Sequence, residues 1–385
     1  MINVFIVGSK GIPARYGGFE TFVENLTKRK KSKEIKYFVT SMNEGEPFEY
    51  NDATCVPVSL KKDSSFNRII NVSSALKWIE SYISSHNDGS KNIVYILGCR
   101  VGLLLRKHKR KLHKMHCVVV VNPDGLEWKR GKWNWIQKKV LLLSEKGLIK
   151  YSDFVVCDSV GIKNYVTNKY KKINSSNIEY IAYGCDLSKS SATEESLLRW
   201  LSKFNVEKEQ YYLIIGRFVP ENNFNLIIDG FMRSKTSKKL LIISNVEKNA
   251  FYNGLEERLH FSSDERILFA GTCYDEELVK KIRENAFCYI HGHSVGGTNP
   301  SLLEALGSTK INLLYDVAFN REVGENQCIY FDNDAKKLAE IINNIESDYK
   351  KYLKELDPSS IIESRFKWDD IVSKYEKYFE TIANY

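Results

Sequence analysis

The chain has 385 residues, 43% of them hydrophobic and 27% charged, with a formal net charge of +9. It is too long for one ordinary core, and its apolar runs, such as "CVVVV" and "VLLL", stop far short of the roughly 18 residues a membrane-crossing helix needs. Eight cysteines stand at 55, 99, 117, 157, 185, 273, 288 and 328 with no CxxC pair, a pattern of reduced, packed thiols and not of a metal cluster or a disulfide framework.

The first strand is predicted at residues 2–8, "INVFIVG". It reads as a buried strand and not as an export signal, so the chain is expected to stay in the cytosol. Next comes "SKGIPARYGGFETFVENL". Phe19, Phe22, Val23 and Leu26 recur at i, i+3, i+4 and i+7, which predicts a helix from about residue 18. Gly17 and Gly18 clear side chains where the first N–H groups of that helix face outward, and Lys10 and Arg15 add positive charge. The combination suits a phosphate or a sugar. It does not match GxGxxG, so a dinucleotide reading is weak.

Further strands are predicted at 36–41, 92–98, 116–122, 153–159 and 177–184. Behind the fourth stands "NPDGLEWKRGKW", which sets Asp124 and Glu127 in one short turn with Lys129 and Arg130 close by. A turn needs Asp-Gly; it does not need an acid, a base and an aromatic as well. Basic runs at 28–33, 106–114 and 128–139 all fall in this half, the last with Trp128, Trp133 and Trp135. Lys and Arg are drawn to an anionic leaflet and Trp to the headgroup level. No RRM, KH or zinc-finger pattern supports a nucleic-acid partner.

In the second half, strands are predicted at 211–217, 239–245, 266–272, 286–292, 311–317 and 328–333. Near-continuous apolar strands alternating with helical segments imply parallel sheets covered on both faces. The fold class is therefore α/β, with two Rossmann-like, doubly wound domains at 1–185 and 186–365. The last segment, 366–385, carries Trp368, Ile371, Val372, Tyr375, Tyr378 and Phe379 at helical spacing, a helix expected to pack back across to the first domain.

Ligands of such sheets bind beyond the carboxyl ends of the strands. There "GRFVPENN" offers Arg217, suited to a diphosphate, and Glu221. "HGHSVGGTNPSLLEALGS" offers Gly296, Gly297, Thr298 and Asn299 ahead of a helix that carries Glu304. His291 and His293 have no further ligand at metal-binding spacing.

"GRFVPENN", "GGTNPSLLEA" and "FNREV" resemble the donor half of the GT-B retaining glycosyltransferases of family 4. "GSKGIPARYGGFETFVE" and "NPDGLEWKR" resemble the narrower bacterial group that adds rhamnose in capsule and cell-wall polysaccharide synthesis. The resemblance implies two domains facing a cleft, with the nucleotide sugar on the second and the acceptor entering from the first. Two positions depart from the family pattern: Gly296 stands where a first Glu is usual, eight before Glu304, and Asn222 where a Lys usually follows Pro-Glu.

The resemblance further implies transfer of L-rhamnose from dTDP-β-L-rhamnose to a lipid-linked glucose or N-acetylglucosamine, with a β-1,4 linkage expected. UDP-glucose or UDP-N-acetylglucosamine is the alternative donor, and a catalytically silent sugar-nucleotide or membrane-binding protein the alternative class. Asp124, Glu127 and Lys129 are the expected catalytic residues, with Asp124 on a reacting sugar. Arg217, Glu221, Gly296, Gly297, Thr298, Asn299 and Glu304 are expected on the donor, Glu304 at the ribose. Arg15, Gly17, Gly18 and Glu20 are expected on the acceptor side. With no DxD motif at a strand end, catalysis is expected without a metal. The expected partners are the nucleotide sugar, a polyprenyl-diphosphate-linked acceptor and the inner face of the cell membrane, to which the protein is expected to attach peripherally.

Overall fold

Six apolar residues in a row, Ile2–Val7, open the first sheet, and all are buried; a strand covered on both faces has no reason to alternate. The computed structural model describes residues 1–14, 17–42, 44–58, 65–86, 88–171 and 173–385. The chain divides into two units, one formed by Met1–Gly184 with Trp368–Tyr385 and the other by Cys185–Lys367.

In the first unit, strands β1 (Ile2–Val7), β2 (Ile35–Ser41), β3 (Phe48–Tyr50), β4 (Ala53–Pro57), β5 (Lys91–Leu97), β6 (Cys117–Asn122), β7 (Phe154–Cys157) and β8 (Ile178–Tyr180) lie in the order β3-β4-β2-β1-β5-β6-β7-β8. Every pair is parallel except β3–β4. That hairpin was not anticipated. It turns on Asn51 and Asp52, both at φ near +50° (49° and 52°), the left-handed geometry a two-residue hairpin loop requires. Strand order reverses between β1 and β5, so the loops after these two strands flank a topological switch point.

Helices α1 (Gly18–Lys28), α2 (Ser65–Ser85), α3 (Gly102–Lys114), α4 (Trp135–Tyr151) and α5 (Val160–Lys169) follow β1, β4, β5, β6 and β7. On one face, Phe5, Val94, Val119 and Val155 pack with Leu76 and Ile79 of α2, Leu105 of α3 and Leu148 of α4. The other face is covered by α1 and the C-terminal helix Trp368–Ile382. There Phe22 meets Tyr375 at 4.9 Å and Tyr95 meets Phe379 at 5.7 Å between ring centroids. The Glu376 carboxylate accepts from the backbone N–H groups of Lys31 and Ser32 at 2.8 and 3.1 Å. Arg29 pairs with Asp369 at 3.4 Å, and Lys31 Nζ reaches Asp369 O and Ser373 Oγ at 3.3 Å. The basic run at 28–33 therefore serves, in part, to seat the last helix.

In the second unit, β9 (Tyr211–Ile215), β10 (Lys239–Ile243), β11 (Ile267–Gly271), β12 (Cys288–His291), β13 (Asn312–Tyr315) and β14 (Ile329–Phe331) form an all-parallel sheet in the order β11-β10-β9-β12-β13-β14. Its order reverses between β9 and β12. Phe224, Ile227, Ile228 and Phe231 of the helix Phe224–Arg233 are fully buried on one face. The polar stretch after residue 185 contains a helix, Glu194–Ser202, capped by Thr193 and burying Leu197, Trp200 and Leu201 against the other face. All eight cysteines are free, and all but Cys273 are buried. Among the described residues no helix is long and apolar enough to cross a membrane.

Candidate active site

The loop after β1 is held from inside by the acids of α1. Glu20 is buried, and its Oε1 accepts from Lys10 N at 2.6 Å. Glu24 accepts from Ala14 N at 2.5 Å and from the Tyr50 hydroxyl at 2.8 Å. Glu20, expected at the acceptor, is thus engaged in shaping its own loop. Gly17 precedes α1 at φ 127°, where a Cβ would come within 2.0 Å of Glu20 Oε2. Among the described residues no side chain caps the helix there, and the exposed Gly18 opens it. Arg15 lies outside the described residues.

Beyond β6 the chain turns at Asp124, which adopts φ 66°, a left-handed conformation that Asp and Asn tolerate. Asp124 N donates to Asn122 Oδ1, and Asp124 Oδ1 accepts from Gly125 N, both at 2.8 Å. Burial raises the Asp124 carboxyl above its ordinary value of 3.8; Arg130 and Arg100 act against the rise and Glu127 adds to it.

Glu127 has a different environment. It is buried at the start of a 3-10 turn, Glu127–Lys129. Arg130 Nε lies 2.5 Å, Lys132 Nζ 2.9 Å and Arg100 Nη2 3.5 Å from its carboxylate, and Trp133 Nε1 donates to it at 3.2 Å. Burial alone would raise its pKa, but Arg130, Lys132 and Arg100 together hold it below 4.5. Glu127, expected as a catalytic group, thus meets three cations and one indole N–H around this loop. Lys129 is exposed, its ammonium 5.5 Å from the Trp128 ring centroid. Arg100 was missed, although a cation just after "YILGC" follows the same strand-end rule.

In the second unit, Arg217 is exposed after β9. The buried Asn222 donates to Arg217 O at 2.7 Å and so braces the loop. The backbone O of Glu221 accepts from Ser294 N and Oγ at 2.9 and 2.8 Å. Asn223 Nδ2 donates to Gly292 O at 2.8 Å, and a Cβ on Gly292 would lie 2.2 Å from Asn222 O. The loops after β9 and β12 are therefore interlocked.

Gly296 adopts φ 149° and Gly297 follows it; Thr298 is buried. Asn299 caps the helix Pro300–Ser308 by accepting from Ser301 N at 2.9 Å. Glu304 pairs with the buried Arg283 at 2.6 Å, another partner not foreseen. Asn320, just past β13, donates to His293 O and Tyr315 O at 3.0 and 2.8 Å. The burial of His291 lowers its pKa well below 6.5, with His293 adding to the effect, and keeps the ring neutral.

At these strand ends Glu221 Oε2, Asn222 Oδ1, His291 Nε2 and Asn320 Oδ1 are buried without a hydrogen-bond partner among the described residues. Each such atom costs about 1–3 kcal/mol, and four around interlocked loops mark a place built to meet a polar ligand. The first unit has a smaller counterpart. A shallow pocket, open to solvent and with room for about 10 Å³, lies at the ends of β1 and β2 and is lined by Gly8, Ser9, Thr40, Ser41 and Asn71 among others. Ser41 Oγ and both amide atoms of Asn71 lack partners there among the described residues. Ser9 and Ser41 were legible as polar residues closing apolar strands; Asn71, inside α2, carried no such signal. Among the described residues no group of three His, Cys, Asp or Glu could hold a metal ion.

The chain has the GT-B fold, two Rossmann-like units each with polar loops at its switch point, shared with the solved structures described next. Residues 1–186 match the family described as "Domain of unknown function (DUF1972)". No curated protein sequence matches the chain. Among solved structures it is similar to sucrose-phosphate synthase of Thermosynechococcus elongatus, with TM-score 0.80 and 13% identity over 99% of this chain and 98% of that one. It is similar also to HepE of Anabaena in complex with UDP-glucose, with TM-score 0.74 and 12% identity over 99% and 100%. A glycosyltransferase of Rickettsia africae gives TM-score 0.71 and 15% identity over 99% and 98%.

Proposed function

We propose that the chain is a retaining glycosyltransferase whose second unit binds a nucleotide sugar. The observation that carries this reading is the set of four polar atoms at the ends of β9, β12 and β13 that have no partner among the described residues, beside the exposed Arg217. The capture of UDP-glucose by HepE, a protein of the same fold, supports it. Arg217 meets the diphosphate with a guanidinium whose planar fork suits two phosphate oxygens at once. Gly296, Gly297, Thr298 and Asn299 bring backbone close to the sugar, Glu304 takes the ribose with Arg283 holding it in place, and Glu221 supports the loop. Asp124 orients the acceptor hydroxyl or the transferred sugar, and the Gly17–Gly18 loop shapes the acceptor side. Front-face displacement asks the protein to stabilise the leaving phosphate charge and to position the hydroxyl. It needs no covalent nucleophile.

The finer reading is L-rhamnose from dTDP-β-L-rhamnose onto a polyprenyl-diphosphate-linked glucose or N-acetylglucosamine, supported by the amino-terminal motifs; UDP-glucose and UDP-N-acetylglucosamine are the competing donors. The test is radiolabelled transfer from each of the three donors to each lipid-linked acceptor, with and without EDTA. Rhamnose transfer that survives EDTA is expected. Transfer from another donor would replace the rhamnose reading, and binding without transfer would make the protein catalytically silent.

Arg217→Ala is expected to weaken nucleotide-diphosphate binding by about 1.5–3 kcal/mol, the worth of a charge-assisted contact, with unchanged thermal stability because the side chain is exposed. Calorimetric titration reads the difference. Equal affinity would remove Arg217 from the site.

A further inference from the structure

Six of the large apolar side chains that the fold leaves exposed lie on two adjoining helices of the first unit: Leu103 and Leu104 at the start of α3, and Trp135, Ile136, Val140 and Leu143 along α4. Their exposures run from 42% to 66%, well above what scattered surface residues need explaining. Ile136, Val140 and Leu143, with Gly147 after them, follow i, i+4, i+7 and i+11 and so share one stripe. The two helices touch beside it. A Cβ on Gly102 would lie 1.7 Å from Ser144 O, and one on Gly147 would lie 2.5 Å from Gly102 O and 3.6 Å from Leu103 N. Leu103 thus continues the stripe onto α3.

The charges around this stripe have one sign. Lys139 and Lys146 follow Trp135 at helical spacing, Lys107 and Arg110 follow Leu103, and all four are exposed. Lys139 Nζ lies 4.9 Å from the Trp135 ring centroid. The only acid in either helix is Glu145, which is buried and accepts from the hydroxyls of Tyr165 and Tyr170 at 2.6 and 2.5 Å. A second copy of the same face would meet it cation to cation. An apolar stripe with Trp at its margin and cations along both sides matches the surface of an anionic bilayer.

The structure also narrows which basic residues are available. Arg29 and Lys31 hold the C-terminal helix, Lys109 pairs with Asp153, and Lys111 pairs with Glu80. The α3–α4 face adjoins the candidate site within its own unit, because Trp133, immediately before the α4 cap Asn134, donates to Glu127. We propose that this face inserts shallowly into an anionic membrane, with Ile136, Val140 and Leu143 below the headgroups and Lys107, Arg110, Lys139 and Lys146 against them. The Asp124 loop would then lie at the level where a lipid-linked substrate presents its polar end.

The test is cosedimentation of the full chain with vesicles of phosphatidylcholine alone or mixed equally with phosphatidylglycerol, with no sugar nucleotide present, so that it can fail separately from the glycosyltransferase reading. Binding to the mixed vesicles is expected to be roughly tenfold or more tighter than to neutral ones. The double variant Ile136→Gln, Leu143→Gln keeps helix formers on an exposed face and is expected to lose roughly tenfold or more; Lys107→Glu with Lys139→Glu is expected to do the same. A blue shift of tryptophan emission on adding mixed vesicles is expected to shrink in Trp135→Phe. Wild-type protein that stays in the supernatant overturns the proposal. So does a glutamine variant that binds as wild type, since adsorption would then need no insertion. Self-association without lipid that the glutamine variant abolishes would also overturn it, by assigning the face to a second copy.

Discussion

Asp124→Asn is expected to lower turnover at saturating donor by about 10²- to 10³-fold, the usual worth of a preorganised electrostatic group, with thermal stability kept or raised, because the ionised form of a carboxyl whose pKa burial raises is a cost to the fold. Asn accepts the φ of 66° at this position, and its amide oxygen can still take the Gly125 N–H that Asp124 Oδ1 accepts. What disappears is the negative charge. Burial raises this carboxyl above 3.8, and the ionised form is the one that orients a hydroxyl. Activity of the native protein should therefore fall as pH drops through a value above 3.8, and that acid limb should be missing from the residual activity of the variant. A variant with turnover within a few fold of the native protein would reduce Asp124 to a turn residue.

Glu127→Gln is expected to act on stability first. The amide keeps the shape of the side chain but leaves Arg100, Arg130 and Lys132 around a neutral group. Removing one partner of a buried ion pair costs 3–5 kcal/mol, and because these cations keep some access to water the lower end, about 3 kcal/mol, is expected. For a unit of this size the midpoint of thermal unfolding should drop by roughly 6–12 °C. The pH dependence has a definite sign. The folded state holds the Glu127 carboxyl below 4.5, so its contribution is complete above that value and is lost as pH falls through the folded value. The difference in stability between native protein and variant should therefore close in acid. Unchanged melting together with lost turnover would return Glu127 to the catalytic group.

The strands that carry the fold were legible because they are short apolar runs bounded by Gly, Asn and Asp. "INVFIV", "CVVVVN" and "YYLII" can be buried only in sheets covered on both faces. The spacing of Phe19, Phe22, Val23 and Leu26 placed α1, and therefore the loop before it. The β3–β4 hairpin was not legible: Phe48–Tyr50 alternates nothing, and its signal was confined to Asn51 and Asp52. The helix Glu194–Ser202 was hidden in a stretch polar enough to pass for a linker, because only three of its residues, Leu197, Trp200 and Leu201, are buried.

Local spacing by itself determined two parallel-sheet units, the loops in which to look, and the candidate residues at their strand ends, since periodicity and turn chemistry act over a few residues and are written in order along the chain. Tertiary structure decided what each charged group is for. Glu127 became a counter-ion because Arg100 arrives from the end of β5, Glu304 acquired Arg283 from the helix Glu276–Glu284, and Arg29 was taken by Asp369 near the far end of the sequence. Desolvation and ion pairing depend on distances across neighbouring elements, which only the folded sheet and its covering helices set, so the division between Asp124, whose pKa is raised, and the ion-paired Glu127, whose pKa is lowered, three residues apart, could not be read from their order in the chain.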